Sequence, residues 1–130
     1  YRTFVFQGRA GSWSLMYDWI CGVGMPGYET QKGDYTIGGD GACYNWTRWQ
    51  DGRNNFKGGY RTTYYPEDDL KYFTGFCLDL GFHSCIGWEG GYSDWGQLGR
   101  GVSHGCIRLI ESNAKWIYDN ALPGPRVITF

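Results

Sequence analysis

One short segment of the sequence gathers several residues suited to nucleophilic chemistry. In GRGVSHGCIRLIES, residues 99 to 112, six positions contain Ser103, His104, Gly105, Cys106 and Arg108. Cysteine attacks as a thiolate, and a nearby imidazole or cation lowers the pKa of the thiol. In an extended segment, His104 and Arg108 share one face with Cys106. Gly105 lets substrate approach the backbone, and the amides near Cys106 are placed to receive an oxyanion.

The base for such a nucleophile must come from His83 or His104, because the chain has only these 2 histidines. A lone cysteine is more often an apolar core residue than a nucleophile, but the clustering of Ser, His, Gly, Cys and Arg favours catalysis. Zinc binding is the rival use of the same residue types. The spacing lacks the paired ligands of structural zinc sites, so we expect neither a metal nor a cofactor. The zinc alternative draws on Cys77, His83, Cys85, His104 and Cys106.

Composition predicts one mainly β domain. The 130 residues include 7 Trp, 11 Tyr, 7 Phe and 22 Gly, a mixture typical of strands, turns and aromatic-lined grooves. The net charge of −1 gives no basic field for nucleic acid. No apolar run is long enough to span a membrane and the first residues lack a signal-peptide pattern. We expect the chain to be one domain excised from a longer protein.

Alternation and turn residues predict the elements that position the motif. We expect strands at YRTFVFQ, at SWSLMYDWICGVG, around Tyr35 to Ile37, at YRTTYY, at KYFTGFCLDL leading into GFHSC, and at RVITF. In the second strand the alternation predicts one shared face. That face would contain Trp13, Leu15, Tyr17, Trp19 and Cys21.

A long loop and one helix complete the expected architecture. Residues 42–60 have no clean period and many turn formers, which favours a lid-like loop, and EGGYSDWGQLGRG reads as a glycine-rich loop. After the motif, apolar residues recur at helical spacing, with Ser112 as the expected cap and LPGP as the stop. The apolar residues of this helix are Ala114, Ile117, Tyr118, Ala121 and Leu122.

The motif SHGCIRL closely resembles the active-site signature of the L,D-transpeptidase catalytic domain, the YkuD-like family of bacterial cell-wall enzymes. The signature pairs an upstream histidine and small residue with Ser-His-Gly-Cys, here His83 and Ser84 followed by residues 103–106. The order of strands, a turn at residues 30–33 and the later helix extend the resemblance over most of the chain. It implies a β-sandwich or barrel with one short helix after the motif.

The resemblance also implies roles for individual residues. Cys106 would be the nucleophile, His83 its general base, and the Ser84 carbonyl an orienter of that base. His104 and Gly105 would shape the oxyanion pocket, with Ser103 supporting the site by hydrogen bonds. Arg108 would hold the motif in place or meet a substrate carboxylate. Tyr35, Trp88 and Trp49 are candidate substrate contacts, although aromatic residues more often serve packing.

The implied reaction is acyl transfer on peptidoglycan stem peptides through a thioester at Cys106. An amine acceptor gives a 3-3 crosslink, and water as the acceptor makes the protein an L,D-carboxypeptidase. Carbapenems are the expected covalent inhibitors, and the expected location is extracytoplasmic, in the bacterial cell wall or periplasm. We expect a monomer that contacts neither nucleic acid nor membrane. The rival from another class is a non-catalytic glycan-binding module.

Cys85 is the residue that complicates this interpretation. It lies two positions after the predicted base, where its thiol could compete as the nucleophile or enter a disulfide. The chain has 5 cysteines and no CxxC pair, so an oxidising compartment would leave one thiol unpaired. The sequence leaves the pairing open. The cysteines available for disulfides are Cys21, Cys43, Cys77 and Cys85.

Overall fold

The computed structural model describes residues 1–38, 57–60, 70–77, 80–85, 94–121 and 124–130. Most of the predicted lid, residues 42–56, lies outside the described residues, as do Trp49, Trp88, Cys43 and Leu122 and the part of the YRTTYY strand after Tyr60.

The described residues are mainly in strands, as composition predicts. The strands are β1 (Arg2–Arg9), β2 (Ser12–Ile20), β3 (Val23–Gly24), β4 (Gly33–Thr36), β5 (Lys57–Tyr60), β6 (Leu70–Cys77), β7 (Leu80–Ser84), β8 (Gly101–Ser103), β9 (Ile107–Leu109) and β10 (Arg126–Thr129). The helices are α1 (Asp94–Gln97), a single turn, and α2 (Glu111–Asn120).

Four sheets arise from these strands. The largest has the order β5-β6-β7-β9, and the pairs β1-β2, β10-β4 and β3-β8 form two-stranded sheets. β7 and β9 run parallel, as do β3 and β8, whereas the other pairs are antiparallel. Within the described ranges the strands do not close into a barrel. The mainly β class and the helix after the motif are therefore confirmed.

The β1-β2 hairpin corrects the predicted alternation of the second strand. Val5 pairs with Tyr17 but Phe6 pairs with Leu15, so Met16 is an extra residue that forms a β-bulge. Because a bulge reverses the alternation, Leu15 lies on the opposite face from Tyr17. The predicted face of five residues is therefore wrong. Two of the five residues are exposed and two are half-buried, and Cys21 lies beyond the strand, which ends at Ile20.

Helix α2 forms where the spacing predicts, but its cap differs. The N–H groups of Asn113 and Ala114 both donate to the Ile110 carbonyl at 3.0 Å. The helix therefore begins at Glu111, and Ile110 is its N-cap without a side-chain hydrogen bond. Ser112 lies inside the first turn, so its predicted role as cap is wrong. The Glu111 carboxylate in that turn interacts favourably with the helix dipole instead.

Two further segments predicted as loop are structured. Lys57–Tyr60, the end of the predicted lid, forms β5 and pairs with β6. Asp94–Gln97, within the predicted glycine-rich loop, forms α1. β5 depends on its pairing with β6, which local composition does not reveal.

The core lies between the four-stranded sheet and α2. Burial of these apolar side chains is the main force that holds β7 and β9 in place. The buried cluster consists of Cys21, Ile37, Phe76, Phe82, Ile107, Leu109, Ala114, Ile117 and Val127. In the described part of the chain, no helix is long and apolar enough to cross a membrane.

Candidate active site

The parallel pairing of β7 and β9 brings together the two halves of the predicted site. Phe82 pairs with Ile107 and His83 pairs with Arg108. Cys106 directly precedes β9 and therefore lies beside β7, next to the first of these pairs. Residues 83 and 106 are far apart in sequence, yet continuing this register by one residue sets Cys106 across from Gly81. Cys106 then lies diagonally across from His83, with the two chain segments about 4.8 Å apart.

His83 is held in one orientation. Its side chain is buried, its ring stacks on Phe73 with the centroids 6.3 Å apart, and its Nδ1 lies 2.6 Å from the Ser84 carbonyl oxygen. Because a carbonyl oxygen only accepts hydrogen bonds, this contact requires the proton on Nδ1. Nε2 is then the ring nitrogen whose lone pair can take a proton from a nucleophile.

The turn that precedes Cys106 is fixed by Ser103. The Ser103 hydroxyl is 1% exposed, accepts from the Gly105 N–H at 3.0 Å and donates to the Cys106 carbonyl at 2.6 Å. Gly105 has φ +121°, a conformation that residues with a side chain rarely adopt. A Cβ there would lie 2.7 Å from Leu80 Cδ2. Glycine is therefore required for this turn, while the His104 ring is exposed beside it.

Arg108 lies beneath the site rather than at its surface. Its side chain is 2% exposed, and Nη1 donates to Gln97 Oε1 at 3.0 Å, in a buried contact. Its backbone N–H and carbonyl pair with Gly22 at 2.9 Å each. Of the two predicted roles for Arg108, this burial favours holding the motif in place over meeting a substrate carboxylate. Gln97 has no counterpart among the sequence predictions.

Tyr35 is half-buried, and its contacts are those of a packing residue. Its ring lies 5.5 Å from that of Phe76, and its hydroxyl donates to the carbonyls of Gln31 at 3.2 Å and Lys32 at 3.3 Å. The other two predicted substrate contacts, Trp49 and Trp88, lie outside the described residues.

The cysteines differ in their surroundings. Cys21, Cys77, Cys85 and Cys106 carry thiols, with Cys21 and Cys85 buried and Cys77 and Cys106 half-buried. Burial raises the pKa of the Cys21 thiol, which opposes thiolate formation there. Cys85 is 8% exposed whereas Cys106 is half-buried, so Cys106 is the more accessible of these two candidate nucleophiles. Among the described residues, no three His, Cys, Asp or Glu side chains are grouped to hold a metal ion.

Sequence reasoning missed the segment 25–30, which lies against the turn. Thr30 donates a hydrogen bond to the Gly105 carbonyl at 2.8 Å, and the Tyr28 ring meets the His104 ring edge-on at 4.6 Å. The sequence marked Thr30 only as the start of a turn. Nothing local distinguishes its hydroxyl, because its partner is 75 positions away.

The fold and the site together define a mainly β domain whose candidate base lies on β7 and whose candidate nucleophile directly precedes the parallel strand β9. The L,D-transpeptidase catalytic domain family matches residues 2–129, and the chain therefore belongs to this family. No curated protein matches the chain.

Solved structures show the same fold. The chain is 25% identical to a fused Zn-dependent amidase/peptidase/peptidoglycan-binding domain-containing protein from Clostridium acetobutylicum, with a TM-score of 0.67 over 99% of this chain and 47% of that one. An L,D-transpeptidase from Stackebrandtia nassauensis is 22% identical, with a TM-score of 0.62 over 98% of this chain and 50% of that one. An LD transpeptidase in complex with imipenem is 17% identical, with a TM-score of 0.60 over 89% of this chain and 50% of that one. The chain spans about half the length of these proteins.

Proposed function

We propose that this domain is a peptidoglycan L,D-transpeptidase that works through an acyl-enzyme at Cys106. The observation that carries the proposal is the β7-β9 register, which sets Cys106 diagonally across from His83, whose Nδ1 is hydrogen-bonded to the Ser84 carbonyl. Membership of the family supplies the substrate class, the stem peptides of peptidoglycan. No cofactor or metal enters the proposed reaction.

In the first half-reaction, His83 Nε2 takes the thiol proton and Cys106 Sγ attacks a carbonyl carbon of the donor stem. That carbonyl joins the third residue of a tetrapeptide stem to its terminal D-alanine. Backbone N–H groups near Cys106 stabilise the oxyanion of the tetrahedral intermediate. The C–N bond then breaks, His83 returns the proton to the departing D-alanine amine, and a thioester remains on Cys106.

In the second half-reaction, an amine of a neighbouring stem attacks the thioester carbonyl. The amine gives its proton to His83, the C–S bond breaks, and the Cys106 thiol is regenerated as the 3-3 crosslink forms. Water as acceptor would instead release a tripeptide stem, which is L,D-carboxypeptidase activity. The reaction product therefore identifies the acceptor, because both reactions start from the same thioester at Cys106.

We expect carbapenems to react at the same site: the thiolate attacks the strained lactam carbonyl, the ring C–N bond breaks, and Cys106 is left acylated. The similarity to a structure containing imipenem supports this choice of inhibitor. We place the protein outside the cytoplasm, in the cell wall or periplasm, because its proposed substrate is located there. Its partners are then stem peptides, with the domain acting as a monomer.

D-Alanine release from tetrapeptide muropeptides tests the proposal. We expect release by the unaltered protein and a loss of more than about 1000-fold in Cys106→Ala, because the covalent step has no substitute there. Cys85→Ala is the matched control, which removes a neighbouring thiol and retains release.

The products separate the alternatives. Crosslinked dimers indicate transpeptidation, and tripeptide stems without dimers indicate carboxypeptidase activity. A Cys106→Ala variant that still releases D-alanine contradicts the proposal. So does an unaltered protein that binds glycan strands and releases nothing, which is the behaviour of a binding module.

A further inference from the structure

The segment 25–30 follows the turn that precedes Cys106 residue by residue. The Met25 N–H donates to the Ser103 carbonyl at 2.9 Å. The Tyr28 ring meets the His104 ring edge-on, with the centroids 4.6 Å apart and the planes at 82°. The turn is therefore supported from a part of the chain that the proposed mechanism does not use.

Thr30 makes the third of these contacts and the one nearest to Cys106. Its hydroxyl accepts a hydrogen bond from the Gly24 N–H at 3.0 Å and donates one to the Gly105 carbonyl at 2.8 Å. Gly24 belongs to β3, which pairs with β8. The hydroxyl thus links the turn to a strand, which is a firmer anchor than a loop.

Residues 28–30 pack closely against Gly24 in β3. A Cβ at Gly24 would lie 2.0 Å from the Tyr28 carbonyl oxygen and 2.5 Å from the Thr30 nitrogen. The segment therefore lies directly on β3. This packing sets the position of the Thr30 hydroxyl beneath the turn.

The bond from Thr30 acts on the peptide unit that contains the Cys106 nitrogen. The Gly105 carbonyl and the Cys106 N–H belong to one planar trans peptide, so holding the oxygen fixes the direction of the N–H. On the other side, Ser103 holds the Cys106 carbonyl at 2.6 Å. Both peptide units that flank Cys106 are thus held by hydroxyl groups.

We propose that Thr30 is a positioning residue for acyl transfer: its hydroxyl orients the Gly105–Cys106 peptide, and with it the Cys106 N–H and side chain, toward the reacting carbonyl. This inference rests on the proposed function. A positioning role predicts that the Thr30 hydroxyl matters when Cys106 attacks a carbonyl and an oxyanion forms. It predicts little effect on reactions of the thiol that form no oxyanion.

Two reactions of the same thiol distinguish this role from a purely structural one. Imipenem acylates Cys106 through a tetrahedral oxyanion, whereas iodoacetamide alkylates it by displacement at a saturated carbon. Both rates are followed by intact mass on the unaltered protein and on Thr30→Val, which keeps the shape but lacks the hydroxyl. Thr30→Ser restores a hydroxyl at the same position.

Thr129→Val is the matched control. The Thr129 hydroxyl donates to the Gln31 carbonyl at 2.6 Å. The variant therefore removes a similar hydrogen bond to the residue next to Thr30, but no hydrogen bond to the turn that precedes Cys106. We expect acylation to stay within twofold of the unaltered rate in this control. Circular dichroism and thermal unfolding give the folded fraction of every variant.

In Thr30→Val we expect acylation about 10- to 100-fold slower, because small misplacement of reacting groups costs this much. Alkylation should stay within about threefold, and Thr30→Ser should recover most of the acylation rate. Equal losses of acylation and alkylation in Thr30→Val overturn the proposal, as does an acylation rate per folded molecule that is unchanged.

Thr30→Ala serves if Thr30→Val does not fold, with the same expectations. A Thr30→Ser variant as slow as the variants that lack a hydroxyl contradicts a role for that group. An unaltered protein that imipenem does not acylate at Cys106 refutes the proposed function itself, whereas failure at Thr30 alone leaves acyl transfer by Cys106 standing.

Discussion

Replacing Gly105 by alanine tests whether the turn before Cys106 requires glycine. An L residue at φ +121° costs about 1–3 kcal/mol in backbone strain. The new Cβ would lie 2.7 Å from Leu80 Cδ2, the end of a flexible side chain. Moving that side chain off its rotamer adds about 1 kcal/mol. We therefore expect Gly105→Ala to lower the free energy of unfolding by about 2–4 kcal/mol.

Gly124→Ala provides a matched control for this prediction. Gly124 has φ +120°, nearly the same backbone conformation, but a Cβ there would meet no atom of the described residues within 4 Å. This variant should show the backbone strain alone, about 1–3 kcal/mol. The difference between the two alanine variants then measures the contact with Leu80.

The test is completed by urea unfolding of four variants: Gly105→Ala, Gly124→Ala, Leu80→Ala and the double variant Gly105→Ala/Leu80→Ala. Leu80→Ala removes the atom that the new Cβ would strike. The double variant should therefore lose about 1 kcal/mol less free energy of unfolding than the sum of the losses in Gly105→Ala and Leu80→Ala. Additive effects refute the clash with Leu80. A Gly105→Ala variant as stable as the unaltered protein refutes the whole argument about this turn.

Two further outcomes follow from described contacts. Gln97→Ala should cost about 1.5–3 kcal/mol in urea unfolding, because it removes the buried acceptor of a charged hydrogen bond from Arg108, and a loss below about 0.5 kcal/mol contradicts this. Arg126 donates to the Asp34 carboxylate, in part from Nε at 2.8 Å, and lowers the pKa of that carboxyl. Its stabilising effect is therefore present above the unfolded pKa of about 3.9 and is lost as the pH falls through the lower folded value. Asp34→Asn should be less stable than the unaltered protein at pH 7 and should approach it below about pH 4; a constant difference between the two would refute the linkage.

The sequence predicted the elements whose signal is local. The helix with Ala114, Ile117 and Tyr118 on its buried face and the final strand both form. The strand predicted from KYFTGFCLDL into GFHSC forms as two antiparallel strands, β6 and β7, so its continuity was wrong. Their apolar residues recur with the period of the element, and tertiary contacts then reinforce the local preference.

What the sequence missed depends on pairing between distant residues. The bulge at Met16 reverses the face of Leu15 only because β1 pairs with β2 in one particular register. Ser112 is a residue type that favours a cap, but the first helical hydrogen bonds go to Ile110, two positions earlier than a Ser112 cap requires. Thr30 looks like an ordinary turn residue until the fold brings it to Gly105.

The same distinction holds within the site. The motif around Cys106 suggested a nucleophile from residue types and spacing alone, and the resemblance supplied a base at His83. The adjacency of the two follows from the parallel β7-β9 register, which the sequence pattern does not encode. The burial of Arg108 against Gln97 likewise depends on α1, which was predicted as loop.

Peptide mapping of the imipenem adduct shows whether Cys106 is the nucleophile. We expect one imipenem per chain, located on the peptide that contains Cys106, retained in Cys85→Ala and absent in Cys106→Ala. An adduct on Cys85, or an adduct that persists in Cys106→Ala, would contradict it.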